Sequence, residues 1–256
     1  MNKTILAMAA TLAIAALPSL SHAEDNPLSF NVSLTSDYRY RGISQTRLKP
    51  ALQGGADYAL PGGFYIGAWG STIKWIKDAG GDAQVEIDLY GGYKGEIVKD
   101  LAFDVGLLQY LYPRAKTTAW SATYKDPNTT EVYGALTYGP LTGKVSVALT
   151  NLFGNYDFTN GRSSKGSVYA EVAAGLDVGG GVTITPHLGY QKVKNIANAS
   201  YTDYSLTAGK DFSGFLVSAG VVGTDADKTF YVPGFVANST KFLGKTSIVA
   251  SVKYTF

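Results

Sequence analysis

The sequence predicts an all-β fold: a single transmembrane antiparallel up-and-down β-barrel of about twelve strands, with short periplasmic turns and longer external loops. Three observations carry this expectation. Apolar and polar residues alternate over stretches longer than a soluble strand needs. The connectors between those stretches are alternately short and long. The chain ends on an aromatic residue, Phe256, with apolar residues at every second position before it.

The N-terminus comes first. Lys3 precedes an uncharged, mostly apolar run from Ile5 to Leu17, and Ser21-His22-Ala23 supplies small residues around a cleavage point. That order of basic residue, apolar run and small residues reads as a secretory signal peptide over 1–23, leaving 24–256 as the transmembrane barrel domain. With no cysteine in the chain, disulfide staples and a lipid anchor on cysteine are both excluded. The 22 Lys+Arg nearly balance the 20 Asp+Glu, so no basic patch suggests nucleic acid. The 30 Gly and 18 Tyr, with 16% charged residues, fit sheet better than helix.

The first strand is read over 28–42. Leu28, Phe30, Val32, Leu34, Ser36, Tyr38 and Tyr40 share one parity; Ser29, Asn31, Ser33, Thr35, Asp37, Arg39 and Arg41 share the other. Successive side chains of a strand face opposite sides. Soluble strands average ~5–6 residues, whereas crossing hydrocarbon takes ~9–11. The even set is therefore expected to face lipid, with Tyr38 and Tyr40 in an aromatic girdle where the strand leaves the membrane. The last strand repeats the phase: Ile248, Ala250, Val252, Tyr254 and Phe256 against Ser247, Ser251, Lys253 and Thr255, with Val249 the one exception.

Ten further strands are expected over 51–60, 64–73, 84–94, 101–112, 131–139, 144–153, 167–177, 182–192, 203–212 and 215–224. Those at 64–73, 101–112 and 215–224 are apolar on both faces, so alternation does not phase them. Short, turn-like connectors follow the even-numbered strands, at 61–63, 95–100, 139–143, 178–181 and 213–214. The odd-numbered strands are followed by longer, more polar loops at 42–50, 74–83, 113–130, 154–166, 193–202 and 225–243. A membrane barrel sorts its connections this way; a sandwich has no reason to. An even strand number places both termini on the periplasmic side.

Charges on the lipid face would cost about 2–4 kcal/mol each near the midplane, so the parity puts them inside. The expected lumen-lining set is Asp37, Arg39, Arg41, Asp57, Glu86, Asp88, Lys94, Glu131, Lys144, Glu171, His187 and Lys253, with Gln53 and Asp104 beside them. Such a lumen is either a polar channel or a closed wall braced by ion pairs and Tyr90, Tyr133 and Tyr169. Eight strands are filled by their own side chains and 16 to 18 leave an open pore, so twelve implies a narrow or partly occluded one. His187 is the sole histidine of the mature chain and reads first as a hydrogen-bonded wall residue. No catalytic, phosphate-binding, cofactor or metal motif is present.

The blocks SDYRYRGISQT (36–46), PALQGGADY (50–58) and GFYIGAWGS (63–71), with GLLQYLYP (106–113) and EVYGALTY (131–138) further on, resemble the proteobacterial TorF-type porin family, formerly a conserved hypothetical family. The resemblance covers the whole mature chain and implies an outer-membrane location and a pore. It supplies no substrate and no site residues. The reading as a whole is an outer-membrane porin-like channel for passive diffusion of small polar solutes. A closed structural or surface-binding barrel comes second, and a barrel enzyme third. The expected partners are outer-membrane lipid and lipopolysaccharide, small polar solutes, and the barrel-assembly machinery through Phe256.

Overall fold

The computed structural model describes residues 27–236 and 239–256; the signal-peptide reading of 1–23 lies outside the described residues. Twelve long strands among these residues form one antiparallel sheet: β1 (Leu28–Thr35), β2 (Ala51–Ala59), β3 (Phe64–Thr72), β4 (Val85–Val98), β5 (Leu101–Leu111), β6 (Thr129–Tyr138), β7 (Leu141–Ala148), β8 (Val168–Ala174, continued as Leu176–Asp177), β9 (Val182–Lys192), β10 (Tyr201–Phe212), β11 (Phe215–Thr224) and β12 (Ser247–Thr255). Each pairs with the next. β12 pairs back on β1, with Asn31 opposite Thr255 and Thr35 opposite Ser251, so the sheet closes into an up-and-down barrel. Closure leaves no strand edge. In hydrocarbon an open edge would strand backbone N–H and C=O groups without partners.

The two faces are sorted as a lipid-spanning wall requires. Leu34, Leu52, Ile66, Leu107, Leu136, Leu206 and Ile248 are exposed on the outside, and charged residues line the inside. The three strands that alternation does not phase are phased by their neighbours. Tyr65 and Ser71 of β3, Asp104, Leu108 and Tyr110 of β5, and Ser218 and Val222 of β11 point inward and are buried.

All short connectors lie at the end where β1 begins and β12 ends. At residues 213–214, between β10 and β11, Ser213 (φ 57°) and Gly214 (φ 93°) both take left-handed backbone, the pair of conformations that a two-residue hairpin demands. Two turns are tighter than the sequence suggests. β4 runs on to Val98 and accommodates a register shift between Glu96 and Val98. β7 starts at Leu141 because Gly139-Pro140 alone make the turn, with the Thr137 and Thr142 hydroxyls 3.0 Å apart beside it.

The aromatic girdle is also displaced from its expected place. It sits at the short-turn end: Phe64 against Tyr93, Tyr93 against Phe103, Phe215 against Tyr254, and Phe256 between Tyr254 and Phe30. Tyr38 and Tyr40 are not part of it. The β1 ladder stops at Thr35, and the chain turns inward rather than continuing along the wall.

Candidate functional site: the barrel interior

The inward turn at Ser36 makes the segment 36–50 (loop 1) the dominant feature of the interior. Its alternation persists to Arg41, but the backbone there no longer belongs to the wall. Arg39–Tyr40 pairs with Ile43–Ser44 in a two-residue ribbon. Arg41 (φ 46°) and Gly42 (φ 77°) make the reversal at its tip. A Cβ on Gly42 would collide with Thr224 and with Asp203 Cβ, so only glycine lets the tip reach the β10–β11 wall. Starting between β1 and β2, loop 1 crosses the mouth at the long-loop end.

A carboxylate organises the loop internally. Asp37 accepts hydrogen bonds from Ser44 Oγ (2.6 Å), Thr46 Oγ1 (2.9 Å) and Arg39 Nε (2.5 Å). Arg39 also donates through Nη1 to the carbonyls of Gly42 and Leu243, at 2.8 and 3.0 Å. Arg39 and Asp37 thus brace the loop rather than stand free in a strand.

Arg41 does the reverse: it reaches across the barrel. Its guanidinium makes a two-pronged ion pair with Glu131 of β6, at 3.1 and 2.7 Å, and donates to Gln191 Oε1 of β9 at 2.6 Å. The rings of Tyr40 and Tyr169 flank it, 4.7 and 4.2 Å from Cζ to centroid. Guanidinium geometry matches a carboxylate fork and stacks on aromatic faces, which lysine cannot do equally. Tyr38, from the same loop, donates to Glu86 of β4 at 2.6 Å, and Tyr112 donates to the other oxygen at 2.7 Å. One loop is therefore tied to β4, β6 and β9. Beside it, Ile76, Tyr112 and Trp120 from the neighbouring loops pack with Tyr110 of β5 in a small apolar core. Arg47 pairs with the buried Asp78 of the 73–84 loop.

Deeper in the barrel the wall braces itself. Tyr90 donates to Asp57 (2.5 Å) and Tyr65 to Asp104 (2.6 Å), and Tyr65 also meets the Tyr133 hydroxyl. His187 Nε2 lies 3.0 Å from Glu171 Oε2, and Nδ1 lies 3.6 Å from Asp203 Oδ1. The Tyr169 hydroxyl reaches both Asp203 oxygens, at 3.2 and 3.0 Å. Lys144 lies over the Tyr133 ring and Lys94 over that of Tyr65. Lys253 lines the same cavity as Asp37 and Asp88. No carboxylate among the described residues lies within ion-pair distance of Lys94, Lys144 or Lys253, in contrast to Arg39, Arg41 and His187.

Several interior residues fall outside the sequence reading of the lumen, among them Asp203, Gln191 and Trp69. Asp203 opens the expected strand 203–212, where phase is least defined. Gln191 is uncharged, and Trp69 lies on a strand that alternation leaves unphased. Asp203 becomes legible once β10 starts at Tyr201, two residues earlier.

Below loop 1 remains a cavity of about 120 Å³, lined among others by Asn31, Ser33, Asp88, Lys144, Ser251 and Lys253. A closed sheet with an apolar outer face, a charged inner face and an inward-folded loop defines a membrane β-barrel with a polar, constricted interior. The chain belongs to a bacterial family of unknown function (Gcw_chp), whose model matches residues 21–256.

Among solved structures the chain is similar to the KdgM porin, with 8% identity, a TM-score of 0.52, and coverage of 90% of this chain and 98% of that one. KdgM in complex with disordered oligogalacturonate aligns with 9% identity and a TM-score of 0.50, over 90% and 98% of the two chains. The NanC porin aligns with 9% identity and a TM-score of 0.51, over the same shares. At these identities the likeness establishes the fold. No curated protein sequence matches.

Proposed function

We propose that this chain is an outer-membrane channel through which small polar solutes diffuse passively, as the TorF-type porin resemblance of its N-terminal block implies. The observation that carries the reading is the sorting of side chains around a closed wall. An apolar surface meets lipid, and charged groups line the interior from the loop 1 mouth to Lys94 near the short-turn end. The fold shared with KdgM and NanC supports the same class and an outer-membrane location. Lipid and lipopolysaccharide cover the outer face. Phe256 serves as the recognition residue for the assembly machinery.

The solute of the KdgM complex is an acidic oligosaccharide. Here interior carboxylates outnumber cations: Asp37, Asp57, Glu86, Asp88, Asp104, Glu131, Glu171 and Asp203 stand against Arg39, Arg41, Lys94, Lys144 and Lys253. Acidic linings favour cations, so an acidic sugar is a poor solute for this lumen.

A second reading, a structural or surface-binding barrel with a closed lumen, is favoured by loop 1 itself, which spans the mouth and is tied to three strands. Enzymatic chemistry has the least support, since His187 lies inside, engaged by Glu171 and close to Tyr169, away from lipid. Planar-bilayer recording on refolded protein decides between channel and closed barrel. Discrete conductance steps in the wild type support the channel. Their absence in the wild type and in a variant lacking the loop 1 tip removes it.

A further inference from the structure

We propose that the lumen contains a seat for a small organic cation, a primary ammonium or guanidinium group, centred on Asp88. The Asp88 side chain is 5% exposed, and its Oδ1 is buried without a hydrogen-bond partner. No described residue donates a hydrogen bond or forms an ion pair to either oxygen. Two residues before it on the same inward face of β4 stands a second buried carboxylate, Glu86. An uncompensated buried charge opposes folding, so nothing in the packing of the wall calls for a carboxylate at this position.

Its surroundings are those of a cation site. In the sheet register Asp88 stands directly opposite Trp69 of β3 on one side and Tyr110 of β5 on the other. Tyr90 follows two residues along on the same inward face. From loop 1, Tyr38 meets Trp69 edge-on, with ring centroids 5.4 Å apart. Asp88 and these four aromatic residues all line the cavity beneath loop 1. A carboxylate among aromatic faces is the arrangement that recognises ammonium and guanidinium groups.

The same lumen shows the chemistry at work on its own cation. Arg41 is held by the carboxylate fork of Glu131 and by the rings of Tyr40 and Tyr169. Asp88, Trp69 and Tyr110 bring the same ingredients together; Arg39, Arg41, Lys144 and Lys253 line the same cavity, yet among the described residues none of them forms an ion pair or hydrogen bond with Asp88. The cavity, about 120 Å³, has room for a methylguanidinium-sized head group. The seat deepens the channel reading by naming a solute class, and it rests on that reading for the solute's route.

The test is isothermal titration of the purified, refolded barrel with methylguanidinium chloride, with sodium acetate as the control. Saturable binding of methylguanidinium but not acetate is expected, about tenfold weaker in Asp88→Asn through loss of a charge-assisted contact. Trp69→Leu, which keeps the carboxylate and removes an aromatic face, is expected to weaken it as well and serves if Asp88→Asn fails to fold. No saturable binding in the wild type, or unchanged binding in both variants, overturns the seat. Planar-bilayer recording in KCl on the same preparation separates the two claims. Binding without conductance, in the wild type and in the variant lacking the loop 1 tip, retains the seat and removes the channel; conductance without binding removes the seat alone.

Discussion

At the scale of single residues, the interior is governed by how each charge is compensated. Arg41 and Glu131 are both almost fully buried and joined two ways. Removing one partner leaves the other uncompensated, a change worth about 3–5 kcal/mol in buried pairs. Arg41→Ala is expected to lower the thermal midpoint of the refolded barrel, followed as the temperature at which heat-modified migration appears in SDS gels. Arg41→Lys is expected to restore only part of it, because an ammonium cannot fill the fork and stack between two rings at once. Asp88 poses the opposite case. With no partner among the described residues, Asp88→Asn is expected to raise the thermal midpoint when no organic cation is present. A drop would show that Asp88 is compensated by the wall itself.

At the scale of elements, loop 1 is the segment on which the proposed conduction turns. Its tip depends on Gly42, where left-handed backbone and the approach to Thr224 and Asp203 leave no room for a side chain. Gly42→Val is therefore expected to displace the tip, pull Arg41 out of the Glu131 fork and raise single-channel conductance. Unchanged conductance would mean that loop 1 does not obstruct the path. The alternation of 28–42 is legible as a strand because Asp37, Arg39 and Arg41 keep the polar parity. It misleads beyond Thr35 because alternation reports two chemically different sides, and a loop folded into a polar lumen also has two. Tyr38 and Tyr40 face aromatic neighbours and carboxylates within the barrel rather than headgroups. The girdle forms instead from Phe64, Tyr93, Phe215, Tyr254 and Phe256 at the other end.

For the whole molecule, the wall rests on the outside–inside sorting and on closure between β1 and β12. Val32→Lys, on the outer face of β1, is expected to cost about 2–4 kcal/mol near the midplane. Ser33→Lys, one residue along and facing inward, should cost much less. Urea titrations of the barrel refolded into lipid vesicles measure both, and equal costs would contradict the assigned faces. Deleting Phe256 removes its stacking on Phe30 and Tyr254 and its paired backbone hydrogen bonds to Phe30. Slower refolding is the expected result, seen as delayed appearance of the heat-modifiable band. The lumen's excess of carboxylates predicts a reversal potential that favours K⁺ over Cl⁻ across a KCl gradient.

Most of this architecture was legible in the residues alone. The twelve strands, their order, the alternation of short turns and long loops, and the inward placement of Glu86, Glu131, Glu171 and His187 follow from a period of two and from the cost of charge in hydrocarbon, both local properties of the chain. Tertiary structure alone decided which residues meet across the barrel. Nothing near Arg41 in sequence marks Glu131 or Gln191 as its partners, and nothing near Asp88 shows that it has none. A strand's alternation specifies which side a residue faces, while the register around the closed sheet and the path of loop 1 determine what it finds there.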